Sequence, residues 1–209
     1  MEDNVRITVK RAAAATIEER KSEFIANVAP VSSEEEAREF IDSIKKKYYD
    51  ARHNVFAYVL DGGSVSRFTD DGEPKGSAGI PVLNVLKMTR VDGVCVVVTR
   101  YFGGILLGTG GLVRAYSAAA KAALDEAGIA VMRQYDICTV RCSYSDHGKI
   151  SSKLDSCGAH LEGCDFADDV LMTVSCAPCD REALEELVRQ VTAGKGVLTK
   201  TGSEERPER

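Results

Sequence analysis

The chain has 209 residues, 44% of them hydrophobic and 28% charged, with a formal net charge of −5. These values fit a globular protein of one large or two small domains, and the negative balance excludes the uniformly basic surface of a general nucleic-acid coating protein. No stretch approaches the ~18 apolar residues of a membrane span, and MEDNVRITVKRAAAATIEERK lacks the apolar core of a secretory signal, so the expected address is cytoplasmic with no membrane partner.

In chain order, TIEERKSEFIANVAPV (16–31) reads as a pair of strands. In VSSEEEAREFIDSIKKKYY, Ser33 and Glu36 have capping-box spacing. Ala37, Phe40, Ile41, Ile44 and Tyr48 recur at helical spacing, and three lysines sit where cations complement the helix dipole. NVFAYVLD (54–61) is apolar on both faces, as in a strand inside a sheet. SVSRFTDDGEPKGSAG (64–79) reads as a strand entering a loop, and IPVLNVLKM as a short helix with Pro81 in its first turn. GVCVVVTRYF (93–102) has the β-branched run of a central strand. Leu112 to Ala127 reads as a helix ended by Gly128.

From about Tyr135 the texture changes. DICTVRCSY alternates, with Cys138, Val140, Cys142 and Tyr144 on one face, and DHGKISSKLDSCG (146–158) reads as a helix. AHLEGCDF and VLMTVSCA read as strands around Ala167–Asp169. DREALEELVRQV reads as a helix capped by Asp180, and GVLTKT as a last strand. The order βαββαβ is that of a split, ferredoxin-like unit. The expectation is an α+β chain with domains at 1–133 and 134–202 and a disordered polar tail at 203–209.

Two glycine-bearing loops lead into helices, with Lys75, Gly76 and Ser77 in the first and Gly103, Gly104, Gly108, Gly110 and Gly111 in the second. Helix N-termini carry unpaired N–H groups and partial positive charge, glycines let an anion approach the backbone, and Arg100 and Arg114 flank the second loop. One reading is a phosphate site; the other is a glycine turn packing a helix onto a strand. There is no P-loop or dinucleotide fingerprint. Asp70, Asp71 and Glu73 suit a turn, or a Mg²⁺ site beside a phosphate. His53, after Arg52, is a structural histidine or a general base. No serine or cysteine stands in a nucleophile context, so no catalytic residue is assigned. Cys176–Cys179 form a lone Cys-x-x-Cys pair, a weak metal signal. The seven cysteines, odd in number and scattered, read as thiols, and no metal ligand is assigned.

DARHNVFAYVL, DDGEPKGSAGIPVL, VVVTRYFGGILLGTGGLVRAY and the compact second domain resemble the bacterial branch of the IMPACT/YigZ family, from about Lys21 to Thr201. The resemblance implies an N-terminal domain like domain 2 of ribosomal protein S5 and a C-terminal ferredoxin-like domain similar to a module of translation elongation factors. Eukaryotic relatives restrain an amino-acid-starvation kinase by competing for its ribosome-associated activator. Their extra N-terminal interaction domain is not recognised here, and that role is not carried over. Some bacterial relatives have been labelled proline dipeptidases, but no metal-ligand set with peptidase spacing supports that label. The family motif maps onto His53 and Asn54, the Asp70–Pro74 loop with Lys75, and Arg100–Arg114.

The expected function is a non-enzymatic regulator of translation that binds RNA or the ribosome through the N-terminal domain. Lys75, Arg100 and Arg114 would hold phosphates, and Tyr101 or Phe102 would stack on a base; core packing is the alternative for both rings, stronger for Phe102 than for Tyr101. The rival is a Mg²⁺-dependent enzyme on a small phosphorylated substrate or nucleotide, by analogy with kinases that share the S5-like fold. A third reading is a docking module for a translation-associated protein.

Overall fold

The computed structural model describes residues 5–208. They form two compact units, 6–131 and 132 onward. The first contains β1 (Arg6–Val9), β2 (Ala13–Glu19), β3 (Ser22–Pro30), α1 (Glu34–Lys47), β4 (His53–Leu60), β5 (Val65–Thr69), α2 (Gly79–Met88), β6 (Val94–Tyr101) and α3 (Gly108–Ala127). Its main sheet runs β2-β3-β6-β4-β5, and every neighbouring pair is antiparallel. The β2–β3 hairpin turns through Arg20 and Lys21, both at positive φ (48° and 64°). That pair of left-handed residues matches the twist of the flanking strands.

β4 and β6 are apolar on both faces because helices cover both. Val55, Ala57, Val59, Val94, Val96 and Val98 share one core with α2 and α3. Tyr58, Leu60, Cys95 and Val97 share another with Ala37, Ile41 and Ile44 of α1. The α3 face consists largely of buried alanines at 115, 119, 120 and 123, whose small volume lets the helix pack closely on the sheet. At the start of α1 the Ser33 hydroxyl accepts from the Glu36 amide at 3.1 Å, and the Glu36 carboxylate accepts from the Ser32 amide at 2.7 Å. The capping box therefore closes one residue further upstream than the spacing suggests.

The second unit continues with β7 (Ile129–Cys142), α4 (Tyr144–Ser151), β8 (Ala159–Phe166), β9 (Val170–Cys176), α5 (Arg181–Val191) and β10 (Val197–Pro207). The strands lie side by side as β10-β7-β9-β8, all antiparallel, which is the ferredoxin-like order. Cys138, Val140, Cys142, Met172, Val174 and Cys176 pack under Ile150, Leu154, Leu184 and Val188. The mixed α+β class is as expected from the sequence.

Several boundaries differ, each for a local reason. α3 begins at Gly108 rather than Leu112, so three of the clustered glycines form its first turn and Arg114 sits one turn further in. Tyr144 leaves the β7 face and opens α4, because Ser143 caps that helix by accepting from the Asp146 amide. Asp180 precedes α5 without making a side-chain cap. All seven cysteines are free. Cys176 is buried and Cys179 exposed, and among the described residues no three metal-ligating side chains gather around them. Burial lifts the Cys176 thiol to about 12, which makes it an inert core group. Among the described residues no helix is long and apolar enough to cross a membrane.

The tail expected to be disordered at 203–209 is instead strand through Pro207, paired with β7 from Arg141 to Met132. Polar crosslinks explain this. Buried Asp136 meets Lys200 Nζ at 2.6 Å, Arg181 Nη1 at 3.1 Å and the Ser203 hydroxyl at 3.1 Å, and Arg206 bridges Glu162 and Glu204. Burial alone would raise the Asp136 carboxyl. The hydrogen bonds from Lys200 and Ser203 and the charges of Lys200 and Arg181 outweigh it and hold the group below its usual range. A depressed folded-state value contributes stability above the unfolded value of ~3.9, and that contribution is lost as pH falls through the folded one. Asp136→Asn is expected to cost about 1–3 kcal/mol at neutral pH and to flatten the acid limb. Urea midpoints measured across pH check this, with wild type and variant converging in acid. Equal midpoints at neutral pH would refute the anchoring role.

Candidate anion and nucleic-acid site

The expected site residues gather where β6 ends and β4 begins. His53 lies opposite Arg100 in the β4–β6 ladder, and Phe24 of β3 lies opposite Arg100 on its other side. At the centre is a buried ion pair. Arg100 Nη1 donates to Glu73 Oε1 at 2.7 Å, with side chains only 8% and 4% exposed. The Tyr116 hydroxyl of α3 donates to the same oxygen at 2.8 Å. Burial, then the Glu73 charge and this hydrogen bond, push the Tyr116 phenol far above its ordinary value. The guanidinium sits between the rings of Phe24 and Phe102, 5.5 and 5.6 Å from their centroids. Phe24 meets Tyr116 edge-on at 5.1 Å.

The 70–79 loop is built by its own acids. The Asp70 carboxylate accepts from the amides of Gly76 (2.7 Å), Ala78 (3.1 Å) and Gly79 (2.8 Å). The start of α2, read as a possible anion site with Lys75, is thus filled from within by Asp70; Lys75 itself is exposed. Asp71 Oδ2 accepts from the Asn54 amide at 2.6 Å. Its carbonyl lies 2.8 Å from His53 Nδ1, which therefore carries the proton. Asn54 Oδ1 accepts from the buried Thr99 hydroxyl at 2.7 Å. Asp70, Asp71 and Glu73 each serve a different protein partner. No three acidic, histidine or cysteine side chains among the described residues converge to hold a metal ion. The turn reading describes this loop, and a shared Mg²⁺ site at these three carboxylates does not fit it.

The glycine cluster divides by role. A methyl at Gly103 would lie 1.9 Å from the Lys21 carbonyl oxygen, so this residue lets the loop pass tightly over the β2–β3 turn. Gly111 packs on Leu107 in the same sense. Gly104 and Gly108 adopt positive φ (84° and 70°) with open space around them. A methyl at Gly110 would lie 3.7 Å from the Arg114 guanidinium. No side chain caps the first turn of α3, and Gly108, Thr109 and Gly110 are exposed.

Between these elements lies a cavity of about 310 Å³ lined by Asp50, Arg52, His53, Arg100, Tyr101, Phe102 and Leu106. Tyr101 donates to Asp50 Oδ1 at 2.7 Å, and that bond, with burial and the Asp50 charge, lifts its phenol to about 12. Phe102, read either as a stacking ring or as a core residue, is 56% exposed, and Leu106 is 81% exposed. Asp50, Arg52 and Leu106 were not marked as site residues from sequence. The signal available for two of them was the charged run Asp50–His53 directly before a buried strand.

Removing the Tyr116 hydroxyl or Glu73 itself tests the centre. Tyr116→Phe deletes one hydrogen bond and is expected to cost ~1 kcal/mol. Glu73→Ala leaves a buried guanidinium unpaired, and its expected cost is about 3–5 kcal/mol. Urea denaturation ranks the two; equal losses would show that the carboxylate is not the organising group.

Comparison with known proteins bears on the whole chain. The family model for the Impact N-terminal domain matches residues 20–124, and that for a domain of unknown function, DUF1949, matches residues 140–195. The chain is 39% identical over 189 residues to the IMPACT family member YvyE of Bacillus subtilis (strain 168), spanning 90% of this chain and 87% of that protein. It is 37% identical over 161 residues to the IMPACT family member YigZ of Escherichia coli (strain K12), spanning 75% and 78%. A crystal structure of a hypothetical protein superposes with a TM-score of 0.62 at 29% identity, spanning 97% of this chain and 99% of that one. With both of its parts matched and full-length relatives at this identity, the chain belongs to the IMPACT family.

Proposed function

We propose that this protein is a non-enzymatic regulator of translation that binds RNA, free or in the ribosome, through the glycine-rich edge of its N-terminal unit. The observation that carries this reading is the contrast between two helix starts. Asp70 neutralises the first turn of α2 from within. The first turn of α3 is exposed, has no side-chain cap, and has the Arg114 guanidinium beside Gly110. Free N–H groups, a partial positive charge and an arginine fork together suit a phosphate. Arg20 and Arg52, both exposed, add cations nearby, with Arg20 reaching the Leu106 carbonyl and Arg52 lining the cavity. A local basic edge of this kind serves a backbone-tracking binder even in a chain of net charge −5.

A binder is favoured over an enzyme because the acids near the edge are committed to the protein. Asp70, Asp71 and Glu73 hold amides, a guanidinium and a hydroxyl. His53 spends one ring nitrogen on the Asp71 carbonyl. The translational setting rests on the family relationship.

Fluorescence anisotropy of a labelled single-stranded RNA over a salt series tests the reading. Binding is expected to weaken steeply with salt. Arg114→Ala, at an exposed position, should weaken it across all sequences and lower the log–log salt slope by about one. Absence of binding to RNA and to ribosomes at low salt, or an unchanged slope in the variant, would overturn it.

A further inference from the structure

We propose that the cavity at the end of β6 holds a single nucleotide turned out of a bound RNA strand, with its base on Phe102 and its phosphodiester between Arg52 and Arg100. This rests on the RNA reading and adds to it a pocket for one unstacked residue. The main evidence is Arg100. Its side chain is more than nine-tenths buried, it lines the cavity, and its Nε has no hydrogen-bond partner. A buried guanidinium N–H without an acceptor is costly, and in the proposed complex an oxygen of the strand becomes that acceptor. Glu73 and the rings of Phe24 and Phe102 already fix the guanidinium, so little further side-chain freedom is lost on binding.

Size, surface and charge narrow the ligand. About 310 Å³ is at the small end of ligand pockets, room for one nucleotide and not for a stacked segment. Phe102 is a large apolar side chain left 56% exposed at a pocket lined by two arginines, which is the arrangement of a base-stacking platform. The formal charges of the four ionic groups cancel. Arg52 and Arg100 stand against Asp50 on the wall and Glu73 beneath. A singly charged phosphodiester suits that balance better than the doubly charged phosphate of a free nucleotide, so the pocket takes a residue within a strand.

Competition anisotropy with three probes tests this on the full chain: a single-stranded RNA, the same backbone without bases, and guanosine or uridine monophosphate. Wild type should prefer the RNA over the abasic strand by about tenfold. Phe102→Ala should weaken RNA about tenfold more than the abasic strand, so that the preference is lost, and Phe102→Tyr should keep it. Arg114→Ala should weaken both strands alike. Equal binding of the two strands by wild type, or a preference that survives Phe102→Ala, overturns the nucleotide pocket while the RNA reading stands. Failure of both strands to bind overturns the nucleotide pocket, and the RNA reading falls with it where ribosomes also fail to bind. A monophosphate that competes as well as the RNA overturns the strand assignment.

Discussion

A carboxylate and a guanidinium buried together, Glu73 with Arg100, hold the N-terminal unit in one arrangement. Taking two charges out of water costs several kcal/mol per ion, and their attraction roughly offsets that cost. Net stability is therefore not what such a pair supplies. Its effect is to penalise alternatives, because any arrangement that separates the partners strands a charge in the core. The pair spans three elements that sequence distance keeps apart: the 70–79 loop, the end of β6 and, through the Tyr116 hydroxyl, α3. The loop, the last residue pair of the β4–β6 ladder and the glycine-led helix must close together or not at all. The alanine face of α3 is consistent with this, since only a closely seated helix brings Tyr116 within reach of Glu73.

From that constraint comes the difference between the two helix starts. Holding Glu73 inward requires a tight turn, and the Glu73 amide closes it on the Asp70 carbonyl. The same turn carries the Asp70 carboxylate onto the amides leading into α2. One potential anion site is thereby closed by the chain's own anion. The glycine loop before α3 has no acid of its own between Tyr101 and Arg114, so nothing comparable folds back onto its first turn. Two stretches with the same surface signal, glycines before a helix with a cation nearby, thus end in opposite states.

Much of the fold was legible because burial leaves a pattern. The runs in β4 and β6 are apolar on both faces since α1 covers one side and α2 with α3 the other. The βαββαβ order of the second unit follows from alternation and helical spacing. The misread segments are those where long-range partners override composition. Residues 203–207 have the charged, polar composition of a disordered tail, yet pairing with β7 and the Asp136 and Arg206 contacts order them. Tyr144 continues the alternation of β7, but Ser143 is a better cap than a strand residue and turns the chain. At the site, Arg100 and the glycines were visible, whereas the pairing of Arg100 with Glu73 was not. No local rule distinguishes an acid that turns inward from Asp70 and Asp71 beside it. Phe102 was open to two readings for the converse reason: hydrophobicity predicts burial on average, and a ring left at a pocket mouth departs from the average.

The floor of the cavity and its rim have different mechanical characters, and that division bears on recognition. Arg100 is fixed by an ion pair and two rings, and His53 by the Asp71 carbonyl. Groups held this way keep their geometry in the free protein, so their contribution to binding is not reduced by ordering them. The rim runs from Phe102 to Leu106, exposed for most of its length, between a glycine that packs without room for a methyl and others at positive φ in open space. Gly103 pins the start of this segment to the β2–β3 turn, while Gly104 and Gly108 relieve the backbone on either side of Ile105 and Leu106. Under the RNA reading, a fixed guanidinium beneath an apolar rim anchored at one point holds the backbone charge in one position while the rim accepts bases of different size. That is the behaviour expected of a binder that follows phosphates and tolerates sequence.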